Sequence, residues 1–206
     1  MIDKRPARAL TLAALLAAAV VSGGCVPLVV GGAALGGSMV VTDRRSSATQ
    51  LEDQTLEIKA ANRIREVVGD RAHISVTSYN RALLLTGEIF KEEDRAAIEQ
   101  AVSKVDNVKS VSVEDLVVSW PSSVNDRSTD SLLTTKVKAS MLEATGMVAN
   151  AFKVVTERRV VYLFGRVTEQ EAARAVDLAR GVQGVQKVVR MVEIITPEEL
   201  KSIQGK

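Results

Sequence analysis

The chain has 206 residues, with 27 basic and 25 acidic side chains, one cysteine, one histidine and only 3% aromatic residues. Residues 1–24 hold three of the basic side chains and one of the acidic ones, so the remainder carries 24 of each and is neutral. A neutral chain lacks the basic excess that general nucleic-acid binding requires, so no nucleic-acid partner is expected. The remaining length, about 180 residues, suits one or two small domains.

The amino terminus has the pattern of a signal peptide. Lys4, Arg5 and Arg8 precede the uncharged stretch 9–21. Such a stretch is too short to cross about 30 Å of hydrocarbon, which takes roughly 20 residues. We therefore predict that residues 1–24 are a signal peptide that is removed.

The only cysteine follows three small residues, Ser22, Gly23 and Gly24. This order resembles the bacterial lipobox, in which the cysteine receives a diacylglycerol thioether and an acylated amine, with fatty acids such as palmitate. Cys25 is therefore the predicted lipidation site, and two or more acyl chains would anchor the protein stably. Val26 stands where an aspartate would mark inner-membrane retention, so the resemblance implies the outer membrane, facing the periplasm. The alternative is a buried free cysteine beside an ordinary cleaved signal.

Two segments are predicted as connections. Residues 26–41 are mostly Gly, Ala and Val, which favours a flexible tether, with a segment lying at the membrane interface as the alternative. Residues 42–50 turn polar and are predicted to continue this tether. A second linker is predicted over 119–129, where turn-forming residues outnumber apolar ones.

The segments that flank this second linker repeat each other. Gly87 and Gly165, which are 78 positions apart, each follow an apolar run and precede a polar, helix-favouring stretch. Each repeat is predicted to form a helix, two strands, a second helix and a third strand. The two strands are joined by turns at 79–81 and 157–159, and each glycine is predicted to end the second strand. Asp130 or Ser131 is expected to cap the first helix of the second repeat.

The predicted fold class is α+β, because helices that cover one face of a three-stranded sheet form a two-layer sandwich. Two tandem αββαβ sandwiches, each with a three-stranded mixed sheet and two helices, follow the signal peptide and tether. The predicted boundaries are 1–24 for the signal peptide, 25–50 for the lipidated terminus and tether, 51–118 for the first domain, 119–129 for the linker, 130–195 for the second domain and 196–206 for a tail.

These residues carry a resemblance to a known family. The matching strings are 42–46, 55–57 and 134–138, followed by Val154, Thr156, Glu157 and Gly165. Together with the two αββαβ repeats behind a lipidated cysteine, they resemble the dual BON-domain outer-membrane lipoproteins of the DolP (YraP) family. The resemblance implies a non-enzymatic protein whose second BON domain binds anionic phospholipid, with roles in envelope integrity and at division sites.

The charge of the two repeats favours the second as the membrane-binding one. Residues 51–118 hold nine basic and thirteen acidic side chains, whereas 130–195 hold ten basic and seven acidic ones. The net charges are therefore −4 and +3. Because anionic lipid attracts basic groups, we expect the second repeat to meet the membrane.

The first helix of the second repeat has two apolar faces. Leu133, Val137, Met141 and Ala144 share the face that is predicted to pack on the sheet. The opposite face holds the predicted phospholipid-binding residues, which are Leu132, Thr135, Lys136, Lys138, Ala139 and Leu142. Leucines bordered by lysines are typical of an interfacial contact. The alternative is that this face is buried against the first domain, in which case both leucines would be hidden from solvent.

No catalytic, metal or cofactor site is predicted. His73 is the only histidine, and neither a second histidine nor a spare cysteine is present to build a metal site. The acidic residues Glu92, Glu93 and Asp94 begin a helix, where carboxylates stabilise the helix dipole. A second functional hypothesis is a periplasmic scaffold that contacts outer-membrane assembly or cell-wall remodelling proteins through a sheet face or the acidic first domain.

Overall fold

A computed structural model describes residues 43–113 and 115–204 of the chain. The predicted signal peptide, Cys25 and the tether as far as Thr42 lie outside the described residues. Within the described ranges, no helix combines the length and the apolar character needed to cross a membrane.

The described residues form two αββαβ units in tandem. The first consists of α1 (Ser47–Val68), β1 (Ala72–Tyr79), β2 (Ala82–Ile89), α2 (Glu92–Ser103), β3 (Ser110–Ser112) and β4 (Leu116–Val118). The second consists of α3 (Val124–Glu143), β5 (Phe152–Glu157), β6 (Val160–Val167), α4 (Glu169–Arg180) and β7 (Lys187–Ile194), and α5 (Pro197–Gln204) follows it. In the second unit an antiparallel hairpin is extended by one strand parallel to its second member, which gives the predicted three-stranded sheet. In the first unit two short parallel strands, β3 and β4, pair with β2, so this sheet has four strands and not the predicted three. The predicted α+β class with two mixed sheets is thus confirmed.

Three helices extend into segments that the sequence assigned to connections. α1 begins within the predicted tether, α3 begins within the predicted linker, and α5 lies in the predicted tail. The side chain of Ser46 accepts the N–H of Thr49 at the start of α1. Ser123 forms a capping box with Asp126 at the start of α3, so the expectation that Asp130 or Ser131 caps this helix is wrong.

Asp53 and Asp130 are instead buried and bind the hairpin turns. Each carboxylate accepts the two backbone N–H groups of the turn in its own unit, at 2.8 Å in all four cases. The turn residues are Asn80, Arg81, Arg158 and Arg159, with φ of 50°, 66°, 50° and 62°. This left-handed region favours glycine or asparagine, so three of the four residues are unfavourable there. The aspartates therefore hold turns that the local sequence alone would not favour.

Gly87 and Gly165 lie inside β2 and β6 and do not end them. A Cβ atom on Gly87, whose φ is +118°, would lie 2.2 Å from the carbonyl oxygen of His73 on the neighbouring strand. A Cβ atom on Gly165 would lie 2.6 Å from the carbonyl oxygen of Ala151. Both strands continue for two residues beyond the glycine. A glycine is needed at each position because a neighbouring backbone approaches closely, and not because the strand ends there.

The two sheets pack face to face. Each unit has its own core between sheet and helices, and a third apolar cluster lies between the units. Its buried members are Tyr79, Leu84, Tyr162 and Phe164. The rings of Tyr79 and Phe164 are stacked with their centroids 6.0 Å apart. The order of layers is therefore helices, sheet, sheet, helices, with the helices on the outside. Burial raises the pKa of the Tyr79 and Tyr162 phenols well above the ordinary value, so both are neutral.

Polar contacts surround this apolar interface. Lys153 Nζ lies 2.9 Å from Glu57 Oε1, and Arg158 Nη1 lies 3.0 Å from Glu88 Oε1. Asn80 Nδ2 donates to Glu193 Oε2 at 2.7 Å. Each of these contacts joins one unit to the other, so the relative placement of the two units is fixed by charge and hydrogen bonding as well as by apolar packing.

Two consecutive arginines, Arg44 and Arg45, fasten the start of the described chain to both units. Arg44 is buried and donates to the two carboxylate oxygens of Glu171 at 2.9 and 2.6 Å. Arg45 donates to Asp53 Oδ2 at 2.5 Å, and its guanidinium lies 3.9 Å from the ring centroid of Tyr79. We call residues 43–45 the arginine clasp. The prediction of a polar linker is wrong here because these side chains are paired and partly or fully buried.

Replacing Asp130 by alanine should lower the free energy of unfolding by about 2–4 kcal/mol, because two turn N–H groups lose a charged acceptor. The measurement is chemical denaturation of the protein followed by circular dichroism. Asp106→Ala is the matched control, since Asp106 is exposed and lies outside both turns. Equal stability of the two variants would show that Asp130 does not hold the hairpin.

Replacing Arg44 by alanine should cost about 2–4 kcal/mol at neutral pH, because Glu171 then loses its buried partner. The hydrogen bond from Arg44, followed by those from Thr168, holds the pKa of Glu171 below its ordinary value despite partial burial. A lowered folded-state pKa contributes stability that is present above the unfolded pKa, about 4.3, and is lost as pH falls through the folded value. The difference between wild type and variant should therefore be constant above about pH 5 and shrink in acid.

The matched control for Arg44 is Arg190→Ala. Arg190 pairs with Glu169, also in the first turn of α4, but both side chains are largely exposed. Its loss should change the free energy of unfolding by about 0.5 kcal/mol or less. A pH-independent effect of Arg44→Ala would contradict the assignment of its role to the Glu171 carboxylate.

Candidate functional site

The six residues predicted to bind phospholipid lie together on the outer face of α3. Leu133, Val137 and Met141 are buried on the inner face of this helix, as the periodicity predicts. Leu132 and Leu142 are 61% and 66% exposed. The alternative in which this face is buried against the first unit is therefore wrong, because the units pack through their sheets.

The polar members of this outer face are also exposed. Lys136, Lys138, Thr135 and Ala139 all face solvent, and within the described ranges neither lysine has a carboxylate oxygen within 4.0 Å of its nitrogen. The Thr135 hydroxyl donates to the carbonyl of Ser131 at 3.0 Å, so its hydrogen-bonding need is met within the helix. The result is an exposed face with Leu132, Ala139 and Leu142 between two ammonium groups, and the exposed carboxylate of Glu143 lies at its carboxyl end.

Sequence reasoning missed the first turn and a half of α3. Val124 is exposed and lies seven and eighteen positions before Ser131 and Leu142, so it falls on the same outer face. This face is thus about 27 Å long at 1.5 Å per residue. The signal that could have found this start is the capping box of Ser123 and Asp126, which stands inside the turn-rich segment.

A cavity of about 460 Å³ separates the carboxyl end of α3 from the amino end of α1. Its lining includes Lys138 and Leu142 from α3, Ser47 and Gln50 from α1, and Asp43 from the arginine clasp. The first described residue of the chain therefore lies beside the outer face of α3. Whatever precedes Asp43 in the chain therefore joins the folded domains next to this face.

A second cavity, of about 550 Å³, lies at the connection between the units and offers little chemistry. Its lining includes Trp120, Asp126, Asp130, Arg158 and Arg159. Asp126 belongs to the capping box and Asp130 binds the hairpin turn, so both carboxylates already have structural partners. Within the described ranges, no three His, Cys, Asp or Glu side chains are grouped so as to hold a metal ion.

The lone histidine lies beside a buried carboxylate. His73 Nδ1 is 3.5 Å from Glu88 Oε2, and the other Glu88 oxygen accepts from Ser122 and Arg158. Burial alone would raise the pKa of Glu88, but the hydrogen bonds from Ser122 and Arg158 outweigh it and hold the pKa below its ordinary value. Glu88 is therefore ionised at neutral pH and acts as a contact between the units, a state unsuited to a general acid.

Comparison with known proteins agrees with this architecture. The BON domain family matches residues 53–119 and 129–196. The chain is 34% identical over 189 residues to outer membrane lipoprotein DolP of Haemophilus influenzae, covering 89% of this chain and 95% of that protein. It is 28% identical over 155 residues to the 21 kDa hemolysin of Actinobacillus pleuropneumoniae, covering 74% and 79% of the two chains.

A solved structure of CdsD, a structural protein of the type III secretion system of Chlamydia trachomatis, aligns with 70% of this chain and 96% of its own. Its sequence identity is 13% and the TM-score is 0.30. The two BON matches and the extensive identity to the Haemophilus protein confirm the family that the sequence motifs predicted. The chain belongs to the DolP family of outer-membrane lipoproteins with two BON domains.

Proposed function

We propose that this protein binds anionic phospholipid through the outer face of α3 while acyl chains on Cys25 hold it at the periplasmic face of the outer membrane. In this role it has no catalytic activity. It supports envelope integrity, with enrichment at division sites as the family resemblance implies. The observation that carries the proposal is the exposure of Leu132 and Leu142 between Lys136 and Lys138.

Apolar and cationic groups have separate tasks in such a contact. The leucines enter the boundary between headgroups and acyl chains, and the lysine stems lie along it while their ammonium groups stay with the phosphates. Each basic group near an anionic leaflet contributes about 1 kcal/mol. A site with two lysines and two leucines is therefore weak for a free protein and effective for one that is already held at the membrane.

The position of the arginine clasp supports the proposal that acyl chains hold the protein at the membrane while α3 contacts the lipid. A tether of 17 residues, 26–42, has a root-mean-square length of about 20–25 Å. The described domains, 43–204, have a radius of gyration of about 15 Å, so a point on their far side would be about 40 Å from the membrane-facing side. Because Asp43 lies beside α3, the tether does not have to pass around the protein for this face to meet the bilayer.

A second candidate function is contact with outer-membrane assembly or cell-wall remodelling proteins. The sheet faces are buried against each other, so a partner cannot use them, and the version of this hypothesis that relied on a sheet face is wrong. Phe90 and the exposed Trp120 form an edge-to-face pair with ring centroids 5.4 Å apart, and an exposed aromatic pair supports a protein contact near the connection between the domains. A specific protein crosslink from Trp120 that survives loss of Lys136 and Lys138 would distinguish this role from lipid binding.

Replacing Lys138 and Leu142 together by glutamate should reduce binding to anionic vesicles at least about a hundredfold, through three units of charge change and the loss of one buried leucine. The measurement is flotation of the unlipidated chain from residue 25, with Cys25→Ser, on phosphatidylglycerol-containing and on neutral phosphatidylcholine vesicles. Lys109→Glu with Val118→Glu is the control, because both residues are exposed and lie outside α3. Unchanged binding by the α3 variant would exclude this helix as the lipid contact.

Replacing Cys25 by serine in the full-length protein should abolish acylation and release the protein from the outer-membrane fraction, because the lipid-binding face alone is too weak to retain it. The measurement is membrane fractionation together with the intact mass of the purified mature protein. A mature wild-type protein without added fatty acid would contradict the proposed anchor.

A further inference from the structure

Three cationic side chains of the second domain take no part in the ion pairs or in the outer face of α3. The domain holds ten basic residues, and those paired with carboxylates are Lys153, Arg158, Arg166 and Arg190. Arg174 donates to the carbonyl of Thr145, and two lysines belong to α3. The three that remain are Arg159, Arg180 and Lys187. All three are exposed, and within the described ranges none has a carboxylate oxygen within 4.0 Å of its nitrogen atoms.

These three residues lie at one end of the second domain. Arg159 belongs to the hairpin turn, and its carbonyl accepts the N–H of Gln186 at 2.9 Å. Lys187 begins β7 and is paired with Val160, the first residue of β6. Arg180 ends α4 and shares a cavity of about 310 Å³ with Gln186 and Lys187. We call Arg159, Arg180 and Lys187 the cationic end.

Few carboxylates oppose this charge. The chain from 178 to 192 contains no acidic residue. Asp130 is buried and accepts the two N–H groups of the hairpin turn. Asp126 lines the same cavity as Arg159, but its carboxylate accepts two hydrogen bonds within the capping box. Asp177, one turn before Arg180, is exposed. A local excess of positive charge therefore remains.

The cationic end is polar as well as positive. Between residues 178 and 192, all of which the structure describes, no large apolar side chain is exposed. Trp120 lines the neighbouring cavity, but its ring packs edge to face on Phe90 of the first domain. The exposed residues between Arg180 and Lys187 are Gly181, Gln183, Gly184 and Gln186. A bilayer contact needs aliphatic groups, as on α3, whereas amides beside cations favour a hydrated partner that carries carboxylates and amides.

The position of the cationic end leaves it open to such a partner. β5 begins at Phe152, which lines the same cavity as Asp43, and it leads to the hairpin turn at 158–159. Six residues of strand span about 20 Å, so the cationic end lies that far along β5 from the place where the preceding chain joins the domains. α3 lies on a face of the sheet and not at its end. A bilayer in contact with the outer face of α3 therefore does not cover the cationic end.

We propose that the cationic end of the second domain binds the carboxylates of peptidoglycan, so that a protein held in the outer membrane also contacts the cell wall. This inference rests on the periplasmic orientation in the proposed function and adds a second partner to it. Peptidoglycan fits because it is a hydrated polymer whose peptide stems carry carboxylates at short intervals. The two guanidinium groups suit bidentate contact with carboxylates, and several such contacts along one polymer reinforce each other.

The test is co-sedimentation of the unlipidated chain from residue 25, with Cys25→Ser, with purified peptidoglycan sacculi. R159Q/R180Q/K187Q should weaken binding at least about tenfold, because three contacts between a cation and a carboxylate are lost. K59Q/K104Q/K109Q is the matched control, since it removes three exposed cations of the first domain and should bind as wild type does. Circular dichroism establishes that each variant is folded.

Sacculi whose carboxyl groups have been converted to amides give a second measurement that does not depend on the variants. The unsubstituted chain should sediment with untreated sacculi, less so as the salt concentration rises, and should not sediment with amidated ones. The proposal is overturned if amidated sacculi retain the chain, if untreated sacculi do not, or if the two triple variants behave alike.

Flotation on phosphatidylglycerol-containing vesicles separates this inference from the proposed function. R159Q/R180Q/K187Q should float within about twofold of wild type, because its cations lie off the lipid-binding face. K138E/L142E should lose flotation and still sediment with sacculi. Loss of flotation by R159Q/R180Q/K187Q would show a general attraction for anions and overturn the assignment to the cell wall, whereas the role of α3 depends on K138E/L142E alone.

Discussion

The apolar contact between the free faces of the two sheets determines the architecture of this protein. A single αββαβ unit leaves one face of its sheet uncovered. Here Tyr79 and Leu84 of the first unit cover the free sheet face of the second unit, and Tyr162 and Phe164 of the second unit cover the free sheet face of the first. Because the free face of each sheet packs against the other sheet, the helices that cover the sheets lie on the outside. The exposure of Leu132 and Leu142 on the outer face of α3 follows from this packing. Had the helices of one unit packed against the sheet of the other, the outer faces of those helices would have been buried between the units.

Much of this fold could be predicted from the sequence because it rests on local periodicity. The repeat of apolar runs around Gly87 and Gly165 gave the order of helices and strands, and the wheel of α3 gave its inner and outer faces. A signal for the packing of the sheets was also present. The stretch 160–164 is apolar at every position and does not alternate, a pattern that favours burial on both faces of a strand.

The remaining features depend on contacts between distant residues and leave little local signal. Arg44 and Glu171 are 127 positions apart, so a polar segment could not be distinguished from a linker until the second domain was placed beside it. The roles of Asp53 and Asp130 could not be predicted either, since the sequence around an aspartate on a helix does not indicate that its carboxylate binds a hairpin turn. The exposure of Leu132 and Leu142 could be stated only as one of two alternatives, because it depends on which surfaces the domains use against each other.

The shared interface also has a consequence for the order of folding. The first domain is synthesised before the second, and its sheet face with Tyr79 and Leu84 has no cover until β6 has formed. During this interval the first half of the protein exposes apolar surface that could associate with other chains. This apolar surface belongs to the incomplete chain alone, since it is covered once Phe164 closes over the first sheet.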